Sequence, residues 1–97
     1  MAYDSVSVVL RAGPASEYGG NGHGAVFVWL RDTEANPPRH DAYFEIPLPW
    51  ANQGLAVALA AITSGKRTLT RVGQIGNPSE SNSQGDPICY RLLLLAE

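Results

Sequence analysis

The fold of this chain is decided by residues 46–65, which read IPLPWANQGLAVALAAITSG. The segment carries no charge between Glu45 and Lys66. Its two prolines end the preceding strand, because proline has no N–H to donate to a strand ladder, and the second proline suits the first turn of a helix. We therefore predict a helix over 51–65 that ends at Gly65 in the left-handed conformation.

The predicted helix has no polar face. The larger residues Leu55, Leu59 and Ile62 recur with Ala58 at helical spacing, and they are expected to face the core. Small apolar residues cover the other side, where a surface helix of a small domain normally carries charges. We expect that side to contact a second copy of the chain through Ala56, Val57, Ala60 and Ala61.

Five strands are predicted around this helix. Alternation and β-branched residues place them at 6–11, 25–31, 42–46, 66–72 and 88–96, with loops at 12–24, 32–41 and 73–87. Three strands, a helix and two strands is the order of the OB-fold, a small Greek-key barrel. We predict a mainly β single domain over 1–97, an OB-fold-like five-stranded barrel with one α-helix between strands 3 and 4. The alternative is an open α+β sheet with the helix on one face. The last strand is expected to be central or paired with another subunit.

Composition restricts the partners. The net charge is −2 and the isoelectric point is about 5.6, whereas a sequence-independent nucleic-acid binder needs a basic stripe. Only 16% of the residues are charged, against about 25% in typical domains, which favours a surface covered by another copy. The uninterrupted apolar stretch is too short for a membrane span. A single cysteine and no visible signal peptide favour the cytoplasm, with secretion as the alternative if a signal peptide was removed.

The second half of the chain resembles a known family. Its pattern is Tyr-Phe-Glu-Ile at 43–46, an Ala/Leu helix ending in Ser-Gly-Lys at 55–66, Thr-Leu-Thr-Arg at 68–71 and Cys-Tyr-Arg-Leu at 89–92. Over residues 42–95 this is similar to small bacterial proteins related to the pentameric B subunits of pertussis-like toxins. The resemblance implies an OB-fold, a ring with the helices near its central pore, and glycan binding at the outer surface. The family's usual signal peptide and disulfide have no counterpart here, and no sugar-binding residue is carried over.

Four residues are candidates for ligand binding: Trp29, Arg31, Tyr43 and Trp50. Sugar sites use flat aromatic rings together with polar partners, and aromatic rings on an OB barrel can equally stack nucleic-acid bases. For Trp50, at the strand–helix junction, the alternative is a core or interface anchor. For Trp29 the alternative is a core or subunit contact.

The sequence carries no catalytic or metal-binding pattern. His23 and His40 lie in polar loops and are expected to be exposed, and Cys89 lies in an apolar strand and is expected to be buried and inert. The glycines of residues 19–24 precede a strand, so we interpret them as a connecting loop and not as a phosphate loop.

We therefore predict a homo-oligomeric, ring-forming binding or structural module that is not an enzyme and needs no cofactor or metal. Carbohydrate is its candidate ligand. The alternatives are a single-stranded nucleic-acid-binding OB domain and a small enzyme with a site at a subunit interface.

Overall fold

The computed structural model describes residues 1–15 and 25–97, and it describes Ala25 by its backbone alone. These residues form the strands β1 (Tyr3–Ala15), β2 (Ala25–Asp32), β3 (Asp41–Ile46), β4 (Thr68–Val72) and β5 (Cys89–Leu94), and the helix α1 (Ala51–Ser64). The predicted mainly β class, with one α-helix between the third and fourth strands, is confirmed. The glycine-rich run 19–24 and His23 lie outside the described residues.

The described strands form one antiparallel sheet in the order β3-β2-β1-β4-β5, with β1 at its centre. The two edge strands meet near one end only, through a parallel bridge between Glu45 and Ile88 and a hydrogen bond of 2.9 Å from the Glu45 N–H to the Pro87 carbonyl. The sheet is therefore curled and not closed by a continuous ladder. The prediction that the last strand is central within the chain is wrong, since β5 is an edge strand. Its pairing with another subunit stays a prediction.

The strand β1 is longer than the predicted 6–11. It pairs with β2 as far as Ala15 opposite Ala25, although glycine and proline precede Ala15. A register shift between Val9 and Arg11 inserts an extra residue into β1. Such a bulge bends a strand and increases its twist, and it allows one long strand to serve both β2 and β4.

The helix α1 packs on the sheet mainly through its small residues, with Leu55 and Val57 partly buried beside them. Its buried residues are Ala51, Gly54, Ala58 and Ala61. Leu59 is 47% exposed and Ile62 is 41% exposed, so the predicted core stripe is wrong for both. Small side chains let the helix backbone approach the sheet closely, and that gain in contact decides which face is buried. The helix ends at Gly65, whose φ of 72° confirms the predicted left-handed cap.

The interior has an apolar part and a polar part. The apolar part includes Val28, Leu30, Phe44, Ile46 and Val72, all fully buried. The polar part lies where the first half of β1 meets β4 and the loop between β2 and β3, and it comprises Ser5, Ser7, Asp32, His40, Thr68 and Thr70. The prediction that His40 is exposed is therefore wrong.

Candidate ligand-binding site

Three of the four candidate ligand residues lie together on the outer face of β2 and β3. Trp29 and Arg31 alternate along β2 with the buried Val28 and Leu30, so they point away from the core. The register places Tyr43 of β3 directly opposite Trp29. The period of two along each strand, together with the antiparallel pairing, is what brings the three side chains together.

Asp41 organises this face. One carboxylate oxygen accepts a hydrogen bond of 2.5 Å from the Trp29 indole N–H, and the other accepts one of 3.2 Å from the Arg31 Nε–H. The hydrogen bond from Trp29, followed by that from Arg31, lowers the pKa of Asp41 below its ordinary value. The carboxylate therefore stays charged and orients both neighbours.

Arg11 joins the same face from β1. Its guanidinium lies 5.5 Å from the centre of the Trp29 ring, and its Nη1 donates a hydrogen bond of 3.2 Å to the Tyr43 hydroxyl. The rings of Trp29 and Tyr43 meet edge to face, with centroids 4.7 Å apart and planes at 81°. These neighbours enclose Trp29. The ring that a ligand can reach more easily is therefore that of Tyr43, which is 41% exposed. We call these residues the outer-face cluster: Arg11, Trp29, Arg31, Asp41 and Tyr43.

Trp50 does not belong to this cluster. It precedes α1 and packs against the hydrophobic core, with its ring next to Gly54. This position fits the alternative role of Trp50 as a core anchor.

Sequence reasoning missed Arg11 and Asp41. The predicted loop 32–41 contained Asp41, and its position two residues before Tyr43 was the available signal, since residues two apart share a face. Arg11 follows the bulge in β1, and a register shift of this kind is not visible in a hydrophobic pattern.

A second cluster is buried around His40. The two ring nitrogens lie 2.9 Å from the Tyr3 hydroxyl and 2.9 Å from the Ser7 hydroxyl. The Ser7 hydroxyl is also 3.1 Å from that of Thr70, which donates its proton to the Ser5 carbonyl at 2.9 Å.

These bonds assign each proton in the cluster. Because the Thr70 proton goes to a carbonyl, Thr70 can only accept from Ser7, and Ser7 in turn accepts from the Nε2–H of His40. Nδ1 is then the acceptor for the Tyr3 hydroxyl.

This tautomer bears on catalysis. Ser7 and His40 have the separation of a nucleophile and its base, but a general base must accept the serine proton, whereas here the imidazole donates to the serine. Ser7 is fully buried and His40 is 2% exposed. In this arrangement the pair stabilises the fold.

Asp32 lies beside this cluster, and its side chain is fully buried. Burial would raise the pKa of Asp32, but hydrogen bonds from the Ser5 hydroxyl and from the backbone N–H groups of Arg39 and Glu34 hold it well below its usual range. A carboxylate with this many donors stays charged although it is buried.

The outward side of α1 is uncharged and exposed in the single chain, and it carries the polar residues Asn52, Gln53 and Thr63 beside its apolar ones. Among the predicted interface residues, Ala56 and Ala60 are exposed and Val57 is partly buried. Ala61 is only 2% exposed because it packs on its own sheet, so the chain itself covers it. Leu59 and Ile62 flank the exposed alanines, and we call this surface the α1 outer face: Ala56, Leu59, Ala60 and Ile62.

Cys89 is fully buried, as predicted, and burial raises the pKa of its thiol to about 12. In residues 1–15 and 25–97, His, Cys, Asp and Glu side chains form no group of three or more that could hold a metal ion. No helix in the same residues has both the length and the apolar character needed to cross a bilayer.

Comparisons with protein-family models, with curated proteins and with solved structures found no match to this chain.

Proposed function

We propose that this protein is a self-associating binding module, and not an enzyme, whose outer-face cluster takes a carbohydrate. The observation that carries the proposal is the convergence of two aromatic rings, Trp29 and Tyr43, with two arginines and a carboxylate on one exposed face. An exposed ring can stack on the C–H groups of a sugar, and the charged side chains can exchange hydrogen bonds with its hydroxyl groups.

The position of the cluster adds support. In OB-folds the face of the second and third strands is the one that binds oligosaccharides and oligonucleotides, and Trp29 and Tyr43 lie on β2 and β3. The same ligand class follows from the resemblance of residues 42–95 to the B subunits of pertussis-like toxins.

Self-association is proposed from the α1 outer face. No residue of α1 is charged, and Leu59 is 47% exposed. Leaving this surface in water forgoes its burial, which is worth roughly 25 cal/mol per Å². A ring or another closed oligomer in which the α1 outer face meets a neighbouring copy would cover it.

The ligand is tested on a glycan array with the natural chain, and each hit is then measured by calorimetry. Tyr43→Ala is expected to weaken binding by about tenfold or more, because truncating an aromatic residue at the centre of a binding site costs about 2 kcal/mol or more. The matched control is Tyr90→Ala, since Tyr90 is 44% exposed and lies on β5, away from the cluster. The proposal would be contradicted if the natural chain bound no glycan on the array, or if Tyr43→Ala and Tyr90→Ala lost the same amount of affinity.

A single-stranded nucleic acid is the second candidate, and one contact favours it. Arg11 lies over Trp29 beside Tyr43, and arginines interleaved with aromatic rings also bind unpaired bases. The net charge of −2 opposes it. Fluorescence anisotropy with labelled oligonucleotides separates the two candidates, because nucleic-acid binding weakens steeply as salt rises from about 50 to 200 mM.

A further inference from the structure

Two sets of contacts hold the loop of residues 33–40, between β2 and β3, on β1. The exposed set consists of hydrogen bonds between Thr33, Glu34 and Arg39 and the backbone of Val6 and Asp4. The other set involves a buried residue next to each end of the loop. Asp32 precedes the loop and His40 closes it, and each is 2% exposed. Asp32 accepts hydrogen bonds of 3.0 Å from the backbone N–H groups of Glu34 and Arg39, which fold the loop back on itself. The His40 ring ties the last part of the loop to two side chains of β1.

The cluster has a place for only one proton on the His40 ring. Nε2–H donates to Ser7, and Nδ1 accepts the hydroxyl proton of Tyr3. A second proton, on Nδ1, would point at that hydroxyl proton, so the Tyr3 hydroxyl would have to turn away. It would also place a positive charge in the interior, where an ionised group is costly unless it is paired.

The charged groups around His40 come from three elements. Asp32 of β2 and Asp41 of β3 favour the imidazolium, whereas Arg39 of the loop opposes it. Burial outweighs the two carboxylates and lowers the pKa of His40. On its remaining sides the His40 ring contacts the rings of Tyr3 and Phe44. The His40 and Phe44 rings meet edge to face, with their centroids 5.3 Å apart.

We propose that His40 is a proton-operated tether: when its ring takes a second proton in mildly acidic solution, its bonds to Tyr3 and Ser7 break and residues 33–40 loosen on β1, while the sheet and α1 stay folded. The release is local because the rest of the structure is held independently. The strands β2 and β3 stay paired from Val26 opposite Ile46 to Arg31 opposite Asp41. The His40 ring contacts the apolar core through Phe44, whereas α1 packs on that core through Ala51, Ala58 and Ala61.

Amide hydrogen exchange read residue by residue by NMR tests this, on the natural chain at about pH 5 and about pH 7.5. After correction for intrinsic rates, the amides of residues 33–40 are expected to exchange about tenfold faster at the lower pH, while those of β2 and α1 keep their protection. His40→Gln is expected to remove this pH dependence, and His23→Gln, the matched control, is expected to keep it. Unchanged exchange of residues 33–40, or the same pH response in His40→Gln, would overturn the proposal.

A titration of the natural chain covers the case in which His40→Gln does not fold. The ring resonances of His40 and the amide shifts of residues 33–40 are followed together through mildly acidic pH. Equal midpoints support the tether. Loop shifts that follow a different midpoint, or that do not move, refute it.

Discussion

Gly54 of α1 lies against the side chain of Ile46, so that a Cβ built on Gly54 would stand 2.8 Å from Ile46 Cδ1 and 2.9 Å from Cγ2. Ile46 is fully buried and Trp50 closes the same space at 3.0 Å, so neither neighbour can move freely. This close approach explains why α1 presents its small residues to the sheet.

Gly54→Ala is therefore expected to destabilise the protein. Alanine gains about 1 kcal/mol over glycine in a helix, but overpacking a filled core costs about 1–3 kcal/mol, so we expect a net loss of about 1 kcal/mol. Urea unfolding monitored by circular dichroism measures it. Gly13→Ala is the control, because nothing lies within 4 Å of a Cβ there, and its effect should stay within about 0.5 kcal/mol. A neutral Gly54→Ala would show that the contact yields easily.

Asp32→Ala is expected to be among the most destabilising single substitutions. It would leave the Ser5 hydroxyl and two loop N–H groups without their acceptor in the interior, and unpaired buried donors cost about 1–3 kcal/mol each. We expect a loss of about 3 kcal/mol in the free energy of unfolding. Asp4→Ala is the comparison, since Asp4 forms exposed ion pairs with Arg71 and Arg91 and should lose less than about 1 kcal/mol. Equal effects of the two substitutions would argue against a special role for Asp32.

Stability should fall in acid in two stages. The pKa of His40 is lowered in the folded state, so the unfolded chain binds the proton first, and stability decreases as the pH falls below about 6.5. The pKa of Asp32 is also lowered, so a second loss begins as the pH falls below about 4. Urea unfolding across the pH range gives both stages. His40→Gln should lose the first stage and keep the second, and a first stage that persists in that variant would assign it to another group.

Asp41→Ala is expected to loosen the outer-face cluster without unfolding the chain. Trp29 would lose its indole acceptor and Arg31 its carboxylate. The near-ultraviolet circular dichroism of Trp29, measured in a Trp50→Phe background, should weaken, and glycan affinity should fall about tenfold. Asp86→Ala is the control, because Asp86 contacts Asn82 in the loop before β5. An unchanged tryptophan signal would show that Asp41 does not hold the ring.

Leu59→Glu is expected to prevent the proposed self-association. Leu59 is 47% exposed, and leucine and glutamate have similar helix propensities, so the fold itself should change by less than about 0.5 kcal/mol. Light scattering should give a multiple of 10.4 kDa for the natural chain and one chain for the variant. Ile75→Glu, at a site in the loop between β4 and β5 that is also 52% exposed, is the control. A natural chain that is a monomer at micromolar concentration would remove the proposed assembly.

The order of the elements and part of the candidate site could be predicted from the sequence. Trp29, Arg31 and Tyr43 meet because a strand alternates its faces, which is a local property. Arg11 could not be added, because its place depends on a bulge in β1 that is set by tertiary packing. Asp41 shares the face of Tyr43 by the same alternation, and it was missed because the predicted loop 32–41 contained it.

Two predictions failed for a related reason. Leu59 and Ile62 follow helical spacing, yet Gly54 and Ala58 allow a closer approach, and the sum of contacts over the whole interface chooses the face. His40 sits in a polar, proline-containing loop that predicts exposure. His40 points inward because Asp32 accepts a hydrogen bond from the backbone N–H of the neighbouring Arg39, which folds the loop back on itself. Both the packing of α1 on the sheet and the hydrogen bond to Asp32 depend on the folded structure, so the local sequence pattern does not reveal them.

The hydroxyl groups that line part of the interior affect the register in which β4 pairs with β1. Thr70 donates to the Ser5 carbonyl at 2.9 Å and Thr68 to the Ser7 carbonyl at 3.2 Å. A shift of β4 along β1 by one residue would turn both threonines outward and bring Leu69 inside. The Ser5 and Ser7 carbonyl groups would then be buried without these hydrogen-bond partners. An apolar lining would tolerate such a shift far better. These few hydroxyl groups therefore specify a single register of β4 on β1.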